Sequence, residues 1–351
     1  MIFDHIDFDD HEHVAFASDP DSGLRCIIAV HSTTLGPSAG GTRFWSYADS
    51  ASALTDALRL SRAMSLKNAM ADIPHGGGKG VIMKPEGEFD REAIFAAYGR
   101  ALNRVGGAYY TAEDVGVSPD DMRVIHRQTD YVAGLDEGAA ASGDPSPVTA
   151  DGVYRGLCVA IKRKLNKNDF SDLTVAVQGL GHVGYALCGH LHAAGAKLIV
   201  ADIRDDVLQS AISDFDASVV PVEAIHAVDA DVFAPCALGG AVNANTIGGI
   251  QVKIVGGAAN NQLATPDMGQ ALHERGILYC PDYVLNGGGI INVAAELSGH
   301  YDPNWVDGKL NGLADTLAAV FEAAEADNVS PDVVAERMAL ARIAAKKLDM
   351  A

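Results

Sequence analysis

Leu173-Thr174-Val175-Ala176-Val177, then Gly179-Leu180-Gly181-His182-Val183-Gly184, then Leu198-Ile199-Val200-Ala201-Asp202, is the stretch that decides the fold of this 351-residue chain. A short apolar run bounded by turns reads as a buried strand. The G-x-G-x-x-G that follows it opens a helical stretch carrying Leu187 and Leu191. Between a strand and a helix, such glycines allow a tight turn and a close backbone approach to a pyrophosphate, with a helix N-terminus facing the anion. An acidic residue about 20 positions further on, here Asp202, completes the dinucleotide fingerprint. Its carboxylate would accept hydrogen bonds from the adenosine ribose hydroxyls and repel a 2′-phosphate, which favours NAD over NADP; Arg204 nearby argues the other way. The alternative is a glycine-rich turn that holds no ligand.

Outward from this motif, Asp231-Val232-Phe233-Ala234, Ile254-Val255 and Ile277-Leu278-Tyr279 continue the pattern of apolar runs between helical stretches. That alternation predicts a parallel sheet covered on both faces. Residues 24–131 differ, with short apolar runs, helical stretches and glycine-rich turns but no fingerprint. Gly134-Leu135-Asp136-Glu137-Gly138 through Gly143-Asp144-Pro145-Ser146-Pro147 reads as a linker. The fold class expected is therefore α/β in two domains separated by a cleft: a catalytic α/β domain over residues 1–135 and a Rossmann-type NAD-binding domain over residues 143–330. Pro331 opens a last helix with Val334, Met338, Ala341, Ala345 and Leu348 on one stripe.

Composition narrows the function classes. Hydrophobic residues make up 48% and charged residues 21%, the balance of a soluble globular protein. A net charge of −20 argues against nucleic acid and anionic membrane surfaces as partners. The five cysteines form no C-x-x-C pair, which fits a reducing compartment. The N-terminal residues carry no secretory pattern, and no apolar run is long enough to span a bilayer, so a cytoplasmic location is expected. His11 and His13 lack further ligands, and no metal is expected.

The candidate chemistry lies in the first region. Residues 52–71 read as a helix with Leu60, Ala63, Met64 and Ala71 along one face, and Lys67 on that same face. A lysine on an apolar stripe is costly unless its charge is bound, or unless it snorkels near the helix end. Pro74-His75-Gly76-Gly77-Gly78-Lys79-Gly80 is not a P-loop, since the spacing is wrong and no Ser/Thr follows the lysine. Its glycines would let backbone approach a small ligand. Lys79, with Lys67 as a nearby like charge, would have its ammonium disfavoured and could act in proton transfer or carbonyl polarisation; a solvated lysine after a turn is the other reading. Thr111-Ala112-Glu113-Asp114-Val115-Gly116 offers a carboxylate pair at a strand end, either an acid/base or turn decoration. Ser118 and Pro119 then start another helix.

Taken together, Gly36-Pro37-Ser38-Ala39-Gly40-Gly41-Thr42-Arg43, Met64-Ser65-Leu66-Lys67-Asn68-Ala69, Gly76-Gly77-Gly78-Lys79 and Thr111-Ala112-Glu113-Asp114-Val115-Gly116 resemble the amino-acid dehydrogenases for glutamate, leucine, phenylalanine and valine. So do Ser146-Pro147-Val148-Thr149-Ala150, Gly257-Ala258-Ala259-Asn260-Asn261-Gln262-Leu263 and Pro281-Asp282-Tyr283-Val284-Leu285-Asn286. The leucine branch matches best, through Trp45, Ala112-Glu113-Asp114 and Gly289-Ile290-Ile291-Asn292-Val293. The resemblance runs in order from about residue 10 to the C-terminus.

It implies NAD-dependent, reversible oxidative deamination of an apolar L-amino acid to the 2-oxo acid and ammonium. Lys67 would hold the substrate carboxylate, with Asn261 and the backbone of Gly40 and Gly41. Lys79 would stabilise the attacking water and the carbinolamine oxygen, and Asp114 would shuttle protons to and from nitrogen. Ser146 and Thr149 would orient the nicotinamide amide, with Gly179, Gly181, His182, Val183, Gly184, Asp202 and Asn260 completing the cofactor site. Thr149 also reads as the N-cap of a helix over residues 153–165. The helix at residues 331–351 would return to the first domain, and the molecule would be a homo-oligomer, a dimer or higher.

The side-chain pocket would be lined by Ala39, Ala112, Ala133, Ile290 and Val293. With no charge among them, glutamate is disfavoured and a branched-chain substrate expected; the small Ala39 and Ala133 leave room for larger side chains. The alternatives are a phenylalanine or other aromatic amino-acid dehydrogenase, and a non-catalytic NAD-binding regulatory protein, against which Lys79 and Asp114 both speak. A hydroxy-acid dehydrogenase would need a histidine–carboxylate pair that no motif supplies. His75 stands where an apolar residue is usual in the family.

Overall fold

A computed structural model describes residues 2–135 and 143–349; residues 136–142 of the predicted linker, which runs over 134–147, lie outside the described residues. The first part of the chain runs β1 (His13–Asp19), β2 (Leu24–Ser32), β3 (Ser38–Trp45), α1 (Ser50–Met70), β4 (Gly76–Met83), α2 (Arg91–Val105), β5 (Tyr109–Glu113) and α3 (Pro119–His126). These strands form one mixed sheet in the order β1-β2-β4-β3-β5. Strands β1, β2 and β4 pair antiparallel, whereas β3 is parallel to both β4 and β5.

The two-residue period of β2 divides its apolar residues between two layers. Cys26, Ile28 and Val30 join Phe95, Tyr98 and Leu102 of α2 and Met122 and Ile125 of α3. Ile27 and Ala29 pack on the other face with Ala53 and Ala57 of α1. Both faces are therefore covered, which is why nearly all of β2 is buried.

Helix α1 starts where the Asp49 carboxylate accepts the Ser52 N–H at 2.7 Å. Its buried face differs from the predicted stripe. Leu60, Ala63, Met64 and Lys67 are only half-buried, and the face against the sheet is made of Ala53, Ala57, Leu58, Ser61, Ser65 and Asn68. The reason is close packing on β4, where a Cβ at Gly77 would lie 2.1 Å from the Ser65 nitrogen. Helix α3 begins as predicted, with Ser118 and Asp121 in a reciprocal capping box and Pro119 in the first turn.

The rest of the chain runs α4 (Ser146–Leu165), β6 (Thr174–Gln178), α5 (His182–Ala193), β7 (Lys197–Ala201), α6 (Asp205–Phe215), β8 (Ser218–Val219), β9 (Val232–Pro235), β10 (Ile254–Val255), α7 (Asp267–Glu274), β11 (Leu278–Tyr279), α8 (Asp282–Leu285), α9 (Gly288–Leu297), α10 (Pro303–Asp327) and α11 (Pro331–Asp349). Its six strands form a wholly parallel sheet in the order β11-β10-β9-β6-β7-β8. That is the doubly wound Rossmann order, with its switch point between β6 and β9. The predicted fold class is thus present, with α/β architecture and a parallel sheet following the mixed one.

Two compact units result. One comprises Met1–Asp144, Ile290–Trp305 and Ala339–Ala351, the other Pro145–Gly289 and Val306–Met338, so the division falls within α9, α10 and α11. Helix α11 buries Val334, Ala335 and Ala339, while Ala341, Ala345 and Leu348 of the predicted stripe are exposed. In the first unit its Arg342 donates to the carbonyls of Ala69 and Met70, which end α1. Among the described residues, no helix is long and apolar enough to cross a membrane.

Candidate active site

In the first unit, Gly76-Gly77-Gly78-Lys79 is not the glycine-rich turn with a solvated lysine that was the other reading of the sequence. It forms the first half of a central strand, β4, hydrogen-bonded to β2 on one side and β3 on the other. The absent side chains make room for protein: a Cβ at Gly80 would lie 2.0 Å from the Tyr98 hydroxyl. Pairing of β3 with β4 is interrupted between Ala39↔Gly77 and Thr42↔Gly80. Tyr109 bridges that interruption. Its hydroxyl donates to Gly40 O at 2.7 Å and accepts from Gly80 N at 2.9 Å, and Thr42, Tyr98 and Thr111 extend the buried hydroxyl network.

Strand alternation and the registers Ala39↔Gly77, Ala39↔Tyr110 and Gly41↔Ala112 place Ala39, Gly41, Lys79 and Ala112 on one face of this sheet. Asp114, just past β5, reaches the same face. Lys79, 5% exposed, donates from Nζ to Asp114 Oδ2 at 2.7 Å. Arg43 Nε donates to the same oxygen at 3.2 Å, and its Nη1 is held by Asp56 at 3.0 Å. Burial would raise the Asp114 pKa, but the charges of Lys79 and then Arg43 outweigh it and hold the carboxyl at about 2. Lys67 lies half-buried in the last turn of α1. Ala133 donates its N–H to Thr111 O at 2.8 Å, which sets it beside Ala112, while Ile290 and Val293 are buried on α9.

Sequence reasoning gave no role to Arg43, Asp56 or Tyr109. Arg43 closes the Gly36–Arg43 motif, and its place two residues beyond Gly41 puts it on the same strand face, a usable signal. Tyr109 carried none, because its two backbone partners come from other strands. His75 Nδ1 bonds to Pro37 O at 3.0 Å. It stands four positions before Lys79 in extended chain, roughly 13 Å at ~3.3 Å per residue, and its ring is held by Pro37 while the ammonium is held by Asp114. His11 bonds through Nε2 to Ser61 Oγ at 2.9 Å and Leu58 O at 3.1 Å.

In the second unit, Gly179 closes the turn after β6 at φ 94°. A Cβ at Gly184 would lie 2.0 Å from Gly179 O, so the start of α5 packs directly on that turn. The space a Gly181 side chain would occupy is open, and α5 begins at His182 with no side-chain cap at Gly181. His182 and Val183 form its first turn. Asp202 lies just past β7, accepting the Leu180 N–H at 2.6 Å and the Arg204 N–H at 2.9 Å. Burial works against ionisation of this carboxyl, and those N–H donors with the Arg204 charge outweigh it and lower its pKa. Arg204 Nη2 turns back to Leu180 O at 2.9 Å. A cavity of about 730 Å³ is lined by Gly179, Gly181, Asp202, Arg204, His226 and Leu238 among others. A glycine turn, bare helix N-terminus and terminal carboxylate around one cavity fit a dinucleotide.

Other predicted cofactor residues are placed as follows. Ser146 begins α4. Thr149 is not its N-cap: the helix starts seven residues before residue 153, Pro145 occupies the capping position, and Thr149 Oγ1 donates to Pro145 O at 2.9 Å from within the first turn. Asn260 and Asn261 lie in the loop after β10, where Asn286 Nδ2 donates to Asn260 Oδ1 at 2.9 Å and Asn261 O accepts Gly240 N–H at 2.7 Å.

Two family models match this chain: Glu/Leu/Phe/Val dehydrogenase, dimerisation domain, over residues 11–131, and Glutamate/Leucine/Phenylalanine/Valine dehydrogenase over residues 200–350. The chain belongs to the Glu/Leu/Phe/Val dehydrogenase family. It is 46% identical to leucine dehydrogenase of Bacillus cereus, covering 99% of this chain and 94% of that one. It is 44% identical to valine dehydrogenase of Streptomyces coelicolor, covering 97% and 94%. The crystal structure of L-tryptophan dehydrogenase from Nostoc punctiforme superposes with a TM-score of 0.83 at 41% identity, covering 96% of this chain and 97% of that one. As a Glu/Leu/Phe/Val dehydrogenase, the chain is an amino-acid dehydrogenase.

Proposed function

We propose that the chain catalyses the NAD-dependent, reversible oxidative deamination of branched-chain L-amino acids. An amino acid, NAD⁺ and water give the 2-oxo acid, NADH, ammonium and a proton. The observation that carries this reading is the buried Lys79–Asp114 pair on a sheet face shared with Ala39 and Ala112. A proton-transfer pair beside an uncharged lining suits deamination of an apolar side chain. The likeness to enzymes named leucine and valine dehydrogenase supports the branched-chain preference.

NAD, when bound, accepts the hydride from Cα. The residues proposed for its site are Gly179, Gly181, His182, Val183, Gly184, Asp202, Ser146, Thr149 and Asn260, with Asp202 favouring NAD over its 2′-phosphorylated form. Lys67 and the backbone of Gly40 and Gly41 are proposed for the substrate carboxylate, and Asn261 keeps the same role. Ala39, Ala112, Ala133, Ile290 and Val293 are proposed for its side chain. Water then adds to the carbon–nitrogen double bond at Cα. Asp114, a carboxylate at neutral pH, takes a proton from that water and passes it to the nitrogen while Lys79 donates a hydrogen bond to the new oxygen; the C–N bond then breaks as the C=O bond forms, and the hydroxyl proton leaves to Asp114. Because Lys79 is the main influence lowering the Asp114 pKa, any loss of charge at Lys79 makes Asp114 a stronger base, and the two act as one proton-exchanging unit.

We further propose a cytoplasmic homo-oligomer, at least a dimer, supported by the description of the matching first-domain family as a dimerisation domain; a monomer-sized particle in sedimentation would overturn it. The test of function is NADH formation with L-leucine, L-valine, L-phenylalanine, L-tryptophan and L-glutamate in parallel. The reading expects the highest kcat/KM with leucine or valine. A higher value with either aromatic substrate would overturn the branched-chain assignment and leave the reaction class standing.

A further inference from the structure

Glu296 is a buried carboxylate on α9 that the proposed chemistry does not use. Its Oε2 accepts the Gly134 N–H at 2.9 Å and its Oε1 accepts the Leu135 N–H at 3.1 Å. Gly134 sits at φ 79°, a left-handed conformation that favours glycine and turns both amides toward one side chain. Just upstream, Val132 bridges to Thr111 and Ala133 donates to Thr111 O at 2.8 Å. The short run from Val132 to Leu135 is thus tied to β5 at one end and to α9 at the other.

These two attachments bracket the apolar residues proposed for the substrate side chain. Ala133 lies beside Ala112, on the β5 side. Val293 is one helical turn before Glu296 and Ile290 one turn before Val293, so both share the flank of α9 that carries the carboxylate. One two-oxygen clamp therefore fixes the distance between two pieces of backbone that carry residues proposed for one pocket. An ionised carboxylate suits this task, since it accepts two N–H donors through charge-assisted bonds of defined direction.

We infer that Glu296 is a positioning residue that sets the width of the side-chain pocket, and with it the preference for one side-chain size over another. The inference rests on the pocket assignment made under Proposed function. Glu296→Gln retains one acceptor and turns an amide NH₂ toward the second N–H, loosening the clamp. Glu296→Asp keeps charge and both acceptors but is one methylene shorter, drawing the 133–135 segment toward α9.

The experiment measures kcat/KM of the full-length enzyme and both variants on L-2-aminobutyrate, L-valine, L-leucine and L-phenylalanine, with cofactor KM and thermal midpoint in parallel. One methylene in an apolar pocket discriminates by roughly 10–200-fold, so partial loss of wall position should change the ratio between best and worst substrate by about 5-fold or more. The expected result is a flattened ratio in Glu296→Gln and a shift toward shorter side chains in Glu296→Asp, both through substrate KM, with cofactor KM unchanged. A uniform fall across all four substrates, or parental ratios in both variants, would overturn the inference while leaving the function intact. A parent enzyme inactive on the whole panel would overturn the functional reading, and this one with it.

Discussion

The two units place their candidate chemistry in opposite parts of a sheet. In the second, every strand is parallel and the fingerprint residues sit in the turns beyond the strand ends, where Gly179, Gly181 and Asp202 face an open cavity. In the first, Lys79 lies buried within a central strand and meets Asp114 from beyond β5, which Arg43 of β3 also engages. A turn beyond a strand is a local object, and its glycines and its acid can be read in order. A lysine inside a mixed sheet acquires its partners through strand register alone. The difference teaches that the binding half of such an enzyme is written locally, whereas the half proposed for chemistry depends on long-range pairing.

Substitutions can break that contrast, and the largest expected effect is at Lys79. Lys79→Met should lower kcat by roughly 10²–10⁴-fold, the usual contribution of a proton-transfer group, without altering NADH affinity. It should also raise the Asp114 pKa from about 2, since burial is then opposed only by Arg43 and the Val115 backbone hydrogen bond among the causes that lowered it. Carboxyl NMR titration and fluorescence titration with NADH would show both; a changed NADH affinity would mean the units are not chemically separable.

The converse change is at Asp202. Asp202→Asn removes the charge but retains an acceptor, and with charged hydrogen bonds contributing about 1.5–3 kcal/mol, NAD KM should rise roughly tenfold or more. Substrate KM should stay within twofold. Steady-state kinetics with each ligand varied would decide, and an equal rise in both constants would count against the separation.

Tyr109→Phe sharpens the comparison inside the first unit. It leaves Gly80 N–H and Gly40 O buried without their shared partner, at ~1–3 kcal/mol of stability. Because those backbones flank Lys79 and carry the proposed carboxylate contact, kcat should fall while NAD KM holds. Denaturant unfolding showing a lower midpoint with an unchanged slope would agree; full stability would contradict the bridge.

The smallest expected effect is an acid sensitivity seated in the first unit. His11 is held at about 4 by burial and then by the neighbouring His31, whose own pKa burial also lowers. The rings lie 4.9 Å apart, with Asp9 and Arg62 alongside. A folded pKa below the unfolded value near 6.5 means the unfolded chain takes up the proton first. The stability contributed is therefore complete above about pH 6.5 and is lost progressively down to about pH 4. Discounted for partial exposure, this is ~1–2 kcal/mol for His11. The thermal midpoint should fall over that window in the parent and fall less in His11→Gln; equal slopes would refute the assignment.

Much of this was readable from residue order alone. The parallel sheet, the glycine turn after β6 and the Ser118 cap follow from short-range periodicity and spacing, because strands, caps and β–α turns are fixed by neighbours a few residues apart; the ordered motifs through Lys67, Lys79 and Asp114 were legible as a family resemblance. What only the tertiary structure decided is non-local. Gly76-Gly77-Gly78 reads as a turn by composition but is a strand, because the Ser32 backbone, Ser65 of α1 and the Tyr109 ring fill the space its side chains would take. The same close approach turns the small face of α1 inward and leaves Leu60, Met64 and Lys67 half-buried. Thr149 cannot cap a helix that Ser146 has already begun. The Arg43–Asp114–Lys79 cluster and the Glu296 clamp join residues far apart in sequence, and no local pattern encodes a register that is chosen by packing the whole sheet at once.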